Sequence, residues 1–156
     1  MNSHDIQRLL FNPAWTGNLL QHFLSGCHIS KLKTIKIELI YIALPMIFDQ
    51  ILRDALSTKK ISSTFSSLFK NATLKNRLIS IDIKISDFLP FTNDSLIVIH
   101  DKITVSEDGF ISTTTPLDYK KSPEALRVYC KAAYNLGAIL SKEDHREVLL
   151  RIGASA

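Results

Sequence analysis

The chain has 156 residues, 46% of them hydrophobic and 22% charged, with a formal net charge of +4. That length and apolar share support one domain, residues 1–156, with a real core, and they rule out a disordered tail. No run approaches the roughly 18 uninterrupted apolar residues of a membrane span; the most apolar stretch, residues 35–48, is broken by Lys36 and Glu38.

Asn12-Pro13 predicts a helix start, because Asn is a good cap and Pro suits the first helical position. Trp15, Leu19, Leu20 and Phe23 then recur at helical spacing, with Gly26 as the expected stop. Residues 35–56 predict either one helix kinked at Pro45 or a new helix beginning there, its inward face being Ile47, Phe48, Ile51 and Ala55 or Leu56. Ser62 or Ser63 is expected to cap a short helix carrying Phe65, Leu68 and Phe69. Residues 73–89 fit both a helical face and a strand alternation through Ile79, Ile81, Ile83 and Ile85; Thr73 as cap and Pro90 as stop favour helix. Thr92 is then expected to cap a short helix ending near Asp101, with Leu96, Ile97 and Ile99 inside.

Two β-prone runs, Ile103-Thr104-Val105 and Phe110-Ile111-Ser112-Thr113, flank Glu107-Asp108-Gly109, and Asp-Gly is a strong hairpin signal. Ser122-Pro123-Glu124 predicts another helix, with Leu126, Tyr129, Cys130, Ala133, Leu136 and Leu140 on its apolar face. Ser141 and Asp144 resemble a capping box that opens a last helix through Val148, Leu149 and Ile152 to Gly153. The expected fold is therefore mostly α with a small β-hairpin. Helices leading into a hairpin are the order of a winged helix, here about residues 62–115, with additional packing helices that include about 122–152 at the C-terminal end.

Charge is unevenly spread. Residues 59–84 hold Lys59, Lys60, Lys70, Lys75, Arg77 and Lys84 against Asp82 alone, and these six are the candidate nucleic-acid contacts. Residues 87–118 reverse the balance, with six acids facing Lys102. The helix before the hairpin carries Asp94 and Asp101 and no Arg or Lys, and the hairpin tip is Glu107-Asp108. Acids there repel phosphate, so the helix–hairpin unit reads as a protein-docking module with Asp94, Asp101, Glu107, Asp108 and Phe110 as its candidate contacts.

The search for catalytic chemistry finds little. His4, His22, His28, His100 and the Glu143-Asp144-His145 run lack the spacing of a known metal motif, and no phosphate-cradling glycine loop occurs. Cys130 on a helix face and His22 beside apolar neighbours read as core residues. A non-enzyme without cofactor or metal is expected. Residues 1–7 lack a basic segment leading into an apolar one, so no signal peptide is expected, and two distant cysteines suit a cytoplasmic setting with reduced thiols.

Four patterns, in order, resemble one family: Phe11-Asn12-Pro13-Ala14-Trp15 with Leu19-Leu20; Leu39-Ile40-Tyr41-Ile42-Ala43-Leu44-Pro45 with Ile47-Phe48; the hairpin at Asp108-Gly109; and Ala132-Ala133-Tyr134-Asn135-Leu136-Gly137 with Ile139-Leu140. Together they resemble the middle component of bacterial three-component ABC systems, over about residues 11–152. The resemblance implies a small adaptor with no catalytic residues. It would work beside an ABC ATPase related to chromosome-maintenance and DNA-repair ATPases, and beside a third, effector component, in antiviral defence against phage and mobile elements. It also implies that Gly137 permits close helix packing. Ala138 departs from the bulky aromatic the family often has there. The alternative reading is a small winged-helix DNA-binding protein using residues 59–84.

Overall fold

Asn12 turns the chain into its first helix, its side-chain oxygen accepting from the N–H groups of Ala14 (3.1 Å) and Trp15 (3.3 Å). The computed structural model describes Asn2, His4, Arg8 and residues 12–153; Phe11, part of the first family pattern, lies outside them. Helix α1 (Pro13–Cys27) is buried around almost its whole circumference, which makes it the central element rather than a half-exposed amphipathic one. Gly26 does not stop it, since the helix runs on to Cys27.

Residues 35–56 do not form a helix kinked at Pro45. Ile35–Lys36 is a short strand, β1, followed by a 3₁₀ segment (Ile37–Ile42), a short helix α2 (Ala43–Ile47) and a separate helix α3 (Gln50–Thr58). β-branched residues at 35, 37, 40 and 42 disfavour a helix. Pro45 is tolerated as the third residue of α2, where its missing N–H has no intrahelical partner to lose. Asp49 divides the stretch by capping α3 through the Leu52 N–H at 3.1 Å. That start rotates the face: Leu52 is buried and Ile51 is exposed.

The next caps also differ from those expected. Thr64, not Ser62 or Ser63, caps α4 (Phe65–Leu68), and Asn71, not Thr73, caps α5 (Ala72–Ile79). The helical reading of residues 73–89 holds, but Pro90 stops nothing. Helix α6 spans Ile81–Val98 with Pro90 inside it, and no separate helix begins at Thr92. The carbonyl that Pro90 deprives of a partner belongs to Ser86, and both residues are exposed, so water can solvate it. Thr92 is buried, and its hydroxyl has no hydrogen-bond partner among the described residues.

A 3₁₀ turn (His100–Lys102) leads into the hairpin β2 (Ile103–Val105) and β3 (Phe110–Thr113), the two strands having the limits read from the sequence. Gly109 adopts φ +81, a left-handed value that closes the turn and that a side chain would strain. β1 adds a third antiparallel strand outside β3, pairing Ile35 with Ile111. The chain returns through two 3₁₀ turns, the second at Glu124–Leu126, so the expected start at Ser122-Pro123 lies ahead of helix α7 (Arg127–Leu140). Asp144 alone, without Ser141, caps α8 (His145–Arg151). The fold is mostly α with one small antiparallel sheet.

Two devices bind this scaffold to α1. Gly26 of α1 and Gly137 of α7 face the opposite backbone so closely that the helices pack main chain to main chain. Gln21, Ser25 and His28, a polar stripe at helical spacing, point at the end of β3 and the irregular chain that follows it. Gln21 donates to the Thr115 carbonyl at 2.8 Å, Ser25 accepts from the Leu117 N–H at 2.8 Å, and His28 Nε2 lies 2.8 Å from the Thr113 carbonyl. Buried Asn135 on α7 donates to the Leu56 and Lys59 carbonyls (2.8 and 3.0 Å), closing the C-terminal end of α3.

Candidate functional site

The acidic candidates fall on one helix–hairpin unit. Asp94 is exposed on α6, Asp101 on the 3₁₀ turn, and Glu107 and Asp108 at the hairpin tip. The tip is not purely acidic, because β1 brings Lys36 to it. The Lys36 ammonium donates to the Asp108 carbonyl and lies 5.0 Å from the centre of the Phe110 ring. Phe110 is thereby partly covered, and it is 36% exposed.

Helix α6 adds to Asp94 four residues the sequence reading missed. Ile83, Asp87, Pro90, Asp94 and Ile97 recur every three or four positions, so they share one face, and all are exposed. Ile83 is 70% exposed and Ile97 68%, which corrects the expectation that Ile97 points inward. A signal was present: isoleucine at every second position from 79 to 85 must place apolar groups on opposite sides of a helix.

The six basic candidates separate. Arg77 and Lys84 both close on Asp49, whose side chain is fully buried. Arg77 donates through Nε at 2.8 Å and through Nη2, and Lys84 donates at 3.0 Å. Burial pushes the Asp49 carboxyl up, but Arg77, the Leu52 N–H and Lys84 outweigh it and hold the group below the ordinary carboxylate range. Lys59 lies at the end of α3 and Lys60 is exposed beside it. Lys70 and Lys75 line a cleft of about 530 Å³ together with Ser66, Phe69, Ile79 and Arg151.

A second cleft, about 590 Å³, is lined by residues that include Glu38, Tyr41, Asp82, Ile85 and Leu149. It brings two carboxylates near an apolar wall and contains no cysteine or histidine. Among the described residues, no group of three or more His, Cys, Asp or Glu is placed to hold a metal ion. Both cysteines are free and buried, and burial pushes both thiols up, away from the reactive thiolate.

Burial lowers the pKa of His22 to about 4, against a smaller opposing pull from Asp118. The imidazole is therefore neutral in the folded chain, with Nε2 3.5 Å from the Ser122 hydroxyl. An unfolded histidine takes up a proton near pH 6.5, whereas the folded one does not until about pH 4. The unfolded state thus binds the extra proton, and stability falls as pH drops through that window, by on the order of 3 kcal/mol. Urea midpoints measured from pH 7 to pH 4 are expected to decline, and His22→Gln is expected to flatten the decline. An unchanged slope in that variant would assign the acid sensitivity elsewhere.

Comparison with protein-family models places the chain. A model described as ABC-three component (ABC-3C) system Middle Component 3 matches residues 2–153. The chain belongs to this family. No curated protein and no solved structure matches it. The middle component thus works in a three-component ABC system and has partner components in it. Among the described residues, no helix is long and apolar enough to cross a membrane.

Proposed function

We propose that this middle component is a non-catalytic adaptor. It joins an ABC-type ATPase to a third, effector component in a cytoplasmic antiviral defence complex acting against phage or mobile elements. The observation that carries the reading is the outer face of α6, where Ile83, Pro90 and Ile97 alternate with Asp87 and Asp94. Large apolar side chains left in water along one helix face mark interaction surfaces. The interleaved carboxylates select a partner face with apolar positions between basic residues, and they repel nucleic acid. Asp101, Glu107 and Asp108 add further carboxylates, with the Lys36 ammonium beside Asp108 at the hairpin tip. The state of the potential chemical groups supports the non-catalytic part: a neutral buried His22, two buried thiols, and His28 engaged with a backbone carbonyl.

Co-expression with the ATPase and the third component encoded beside it, followed by size exclusion, tests the proposal. The wild-type chain is expected to co-elute with the ATPase, and Ile83→Asp with Ile97→Asp is expected to release it. The stability of the free chain should change little, because both side chains already stand in water. Separate elution of the wild-type proteins across a wide salt range would remove the main support for the adaptor.

A further inference from the structure

The cleft formed by α4, α5 and α8 gathers three cations and no acid in its lining: Lys70, Lys75 and Arg151, beside Ser66, Phe69 and Ile79. Arg151 is held in place. Its guanidinium carbon lies 4.2 Å from the centre of the Phe69 ring and 5.9 Å from that of Phe65, and Nη1 donates to the Ser66 hydroxyl at 2.8 Å. Among the described residues, none of the three cations has an ion-pair partner. Glu147, one turn earlier on α8, makes no ion pair with Arg151.

We propose that this cleft binds the phosphodiester backbone of a nucleic acid. Three unpaired cations around one depression repel one another, and successive phosphates of a backbone placed among them relieve that repulsion. A guanidinium already stacked and hydrogen-bonded loses little freedom on meeting a phosphate. Beside Ser66, the remaining lining, Phe69 and the half-exposed Ile79, is apolar and suits the sugars and base edges between successive phosphates. A free inorganic phosphate would leave that surface uncovered, and a flat layer of lipid headgroups does not enter a cleft. The site differs from the six-residue candidate set read from the sequence. It leaves out Lys59 and Lys60, excludes Arg77 and Lys84, which Asp49 occupies, and adds Arg151, which lies 76 residues beyond Lys75. It shares no residue with the α6 face, so neither proposal depends on the other.

Fluorescence anisotropy of a labelled short DNA duplex, titrated with the full chain across a salt series, tests it. Three phosphate contacts at about −0.9 each predict a slope of log affinity against log salt of about −2.7. Lys70→Ala with Lys75→Ala should reduce the slope to about −1 and weaken binding at low salt roughly tenfold. Lys120→Ala with Lys121→Ala removes the same charge from exposed positions outside the cleft and should leave binding unchanged. Four results would overturn the proposal: no duplex binding by the wild type, equal loss in both variants, displacement by inorganic phosphate at constant ionic strength, or preferential binding to phosphatidylserine vesicles. Circular dichroism of the variants confirms that exposed lysines were removed from a folded chain.

Discussion

Gly137→Ala is expected to destabilise the chain by about 3 kcal/mol or more, the upper end for overpacking. In an ordinary helix the change has the opposite sign, because Ala is favoured over Gly by about 1 kcal/mol. Here a Cβ on Gly137 would stand 1.9 Å from the Phe23 carbonyl oxygen and 2.9 Å from its carbon. The obstruction is helix backbone, which cannot rotate away as a side chain does. Relief requires α1 and α7 to separate, and that opens contacts among Leu20, Phe23, Leu24, Ala133, Leu136 and Leu140, all 0% exposed. Gly26→Ala is expected to act alike, since its Cβ would meet the Tyr134 carbonyl oxygen at 1.9 Å. The double variant should cost less than the sum, because one separation accommodates both methyl groups. Urea unfolding of the three variants measures this. A urea midpoint at or above wild type in Gly137→Ala would refute the close crossing.

Asp49→Ala is expected to cost on the order of 3 kcal/mol, the low end for breaking a buried ion pair, because Arg77 and Lys84 remain partly solvated. The loss combines two charged partners with the cap on α3. Asp49→Asn separates them. The amide oxygen can still accept from the Leu52 N–H, so this variant should lose about 1 kcal/mol less than Asp49→Ala. The same carboxylate sets an acid limit below that of His22. Its pKa is depressed in the folded chain, so its contribution is complete above the ordinary Asp value and is lost as pH falls through the lower folded one. Unfolding free energies of both variants within about 0.5 kcal/mol of wild type, the range typical of surface changes, would release Arg77 and Lys84 from a structural role. They would then return to the candidate nucleic-acid surface.

How far the candidate surfaces were legible follows from where their partners lie. The hairpin with its acidic tip was legible, because Glu107, Asp108 and Gly109 form a turn whose chemistry is local. Lys36 at its tip was not, since strand pairing across more than 70 residues puts it there. Charge runs located the basic segment but did not sort it. Arg77 and Lys84 are neutralised by Asp49, which is 28 and 35 residues away, and Arg151 joins Lys70 and Lys75 only when α8 packs beside α4 and α5.

What the sequence alone determined was whatever a few adjacent residues decide. Asn12-Pro13 started α1, Asp108-Gly109 closed the hairpin, and the ordered patterns across the chain pointed to the family. Tertiary structure decided the rest. It ran α6 through Pro90, because the orphaned carbonyl faces water. It buried Gln21 and Ser25, whose spacing reads as a solvent face, because the chain around residues 115–117 supplies their hydrogen bonds. It made Gly26 a contact rather than a stop, because α7 approaches there. For Gln21, Ser25 and Gly26 the deciding atoms lie far along the chain, and a local pattern carries no information about which distant group will satisfy a side chain or approach a bare Cα.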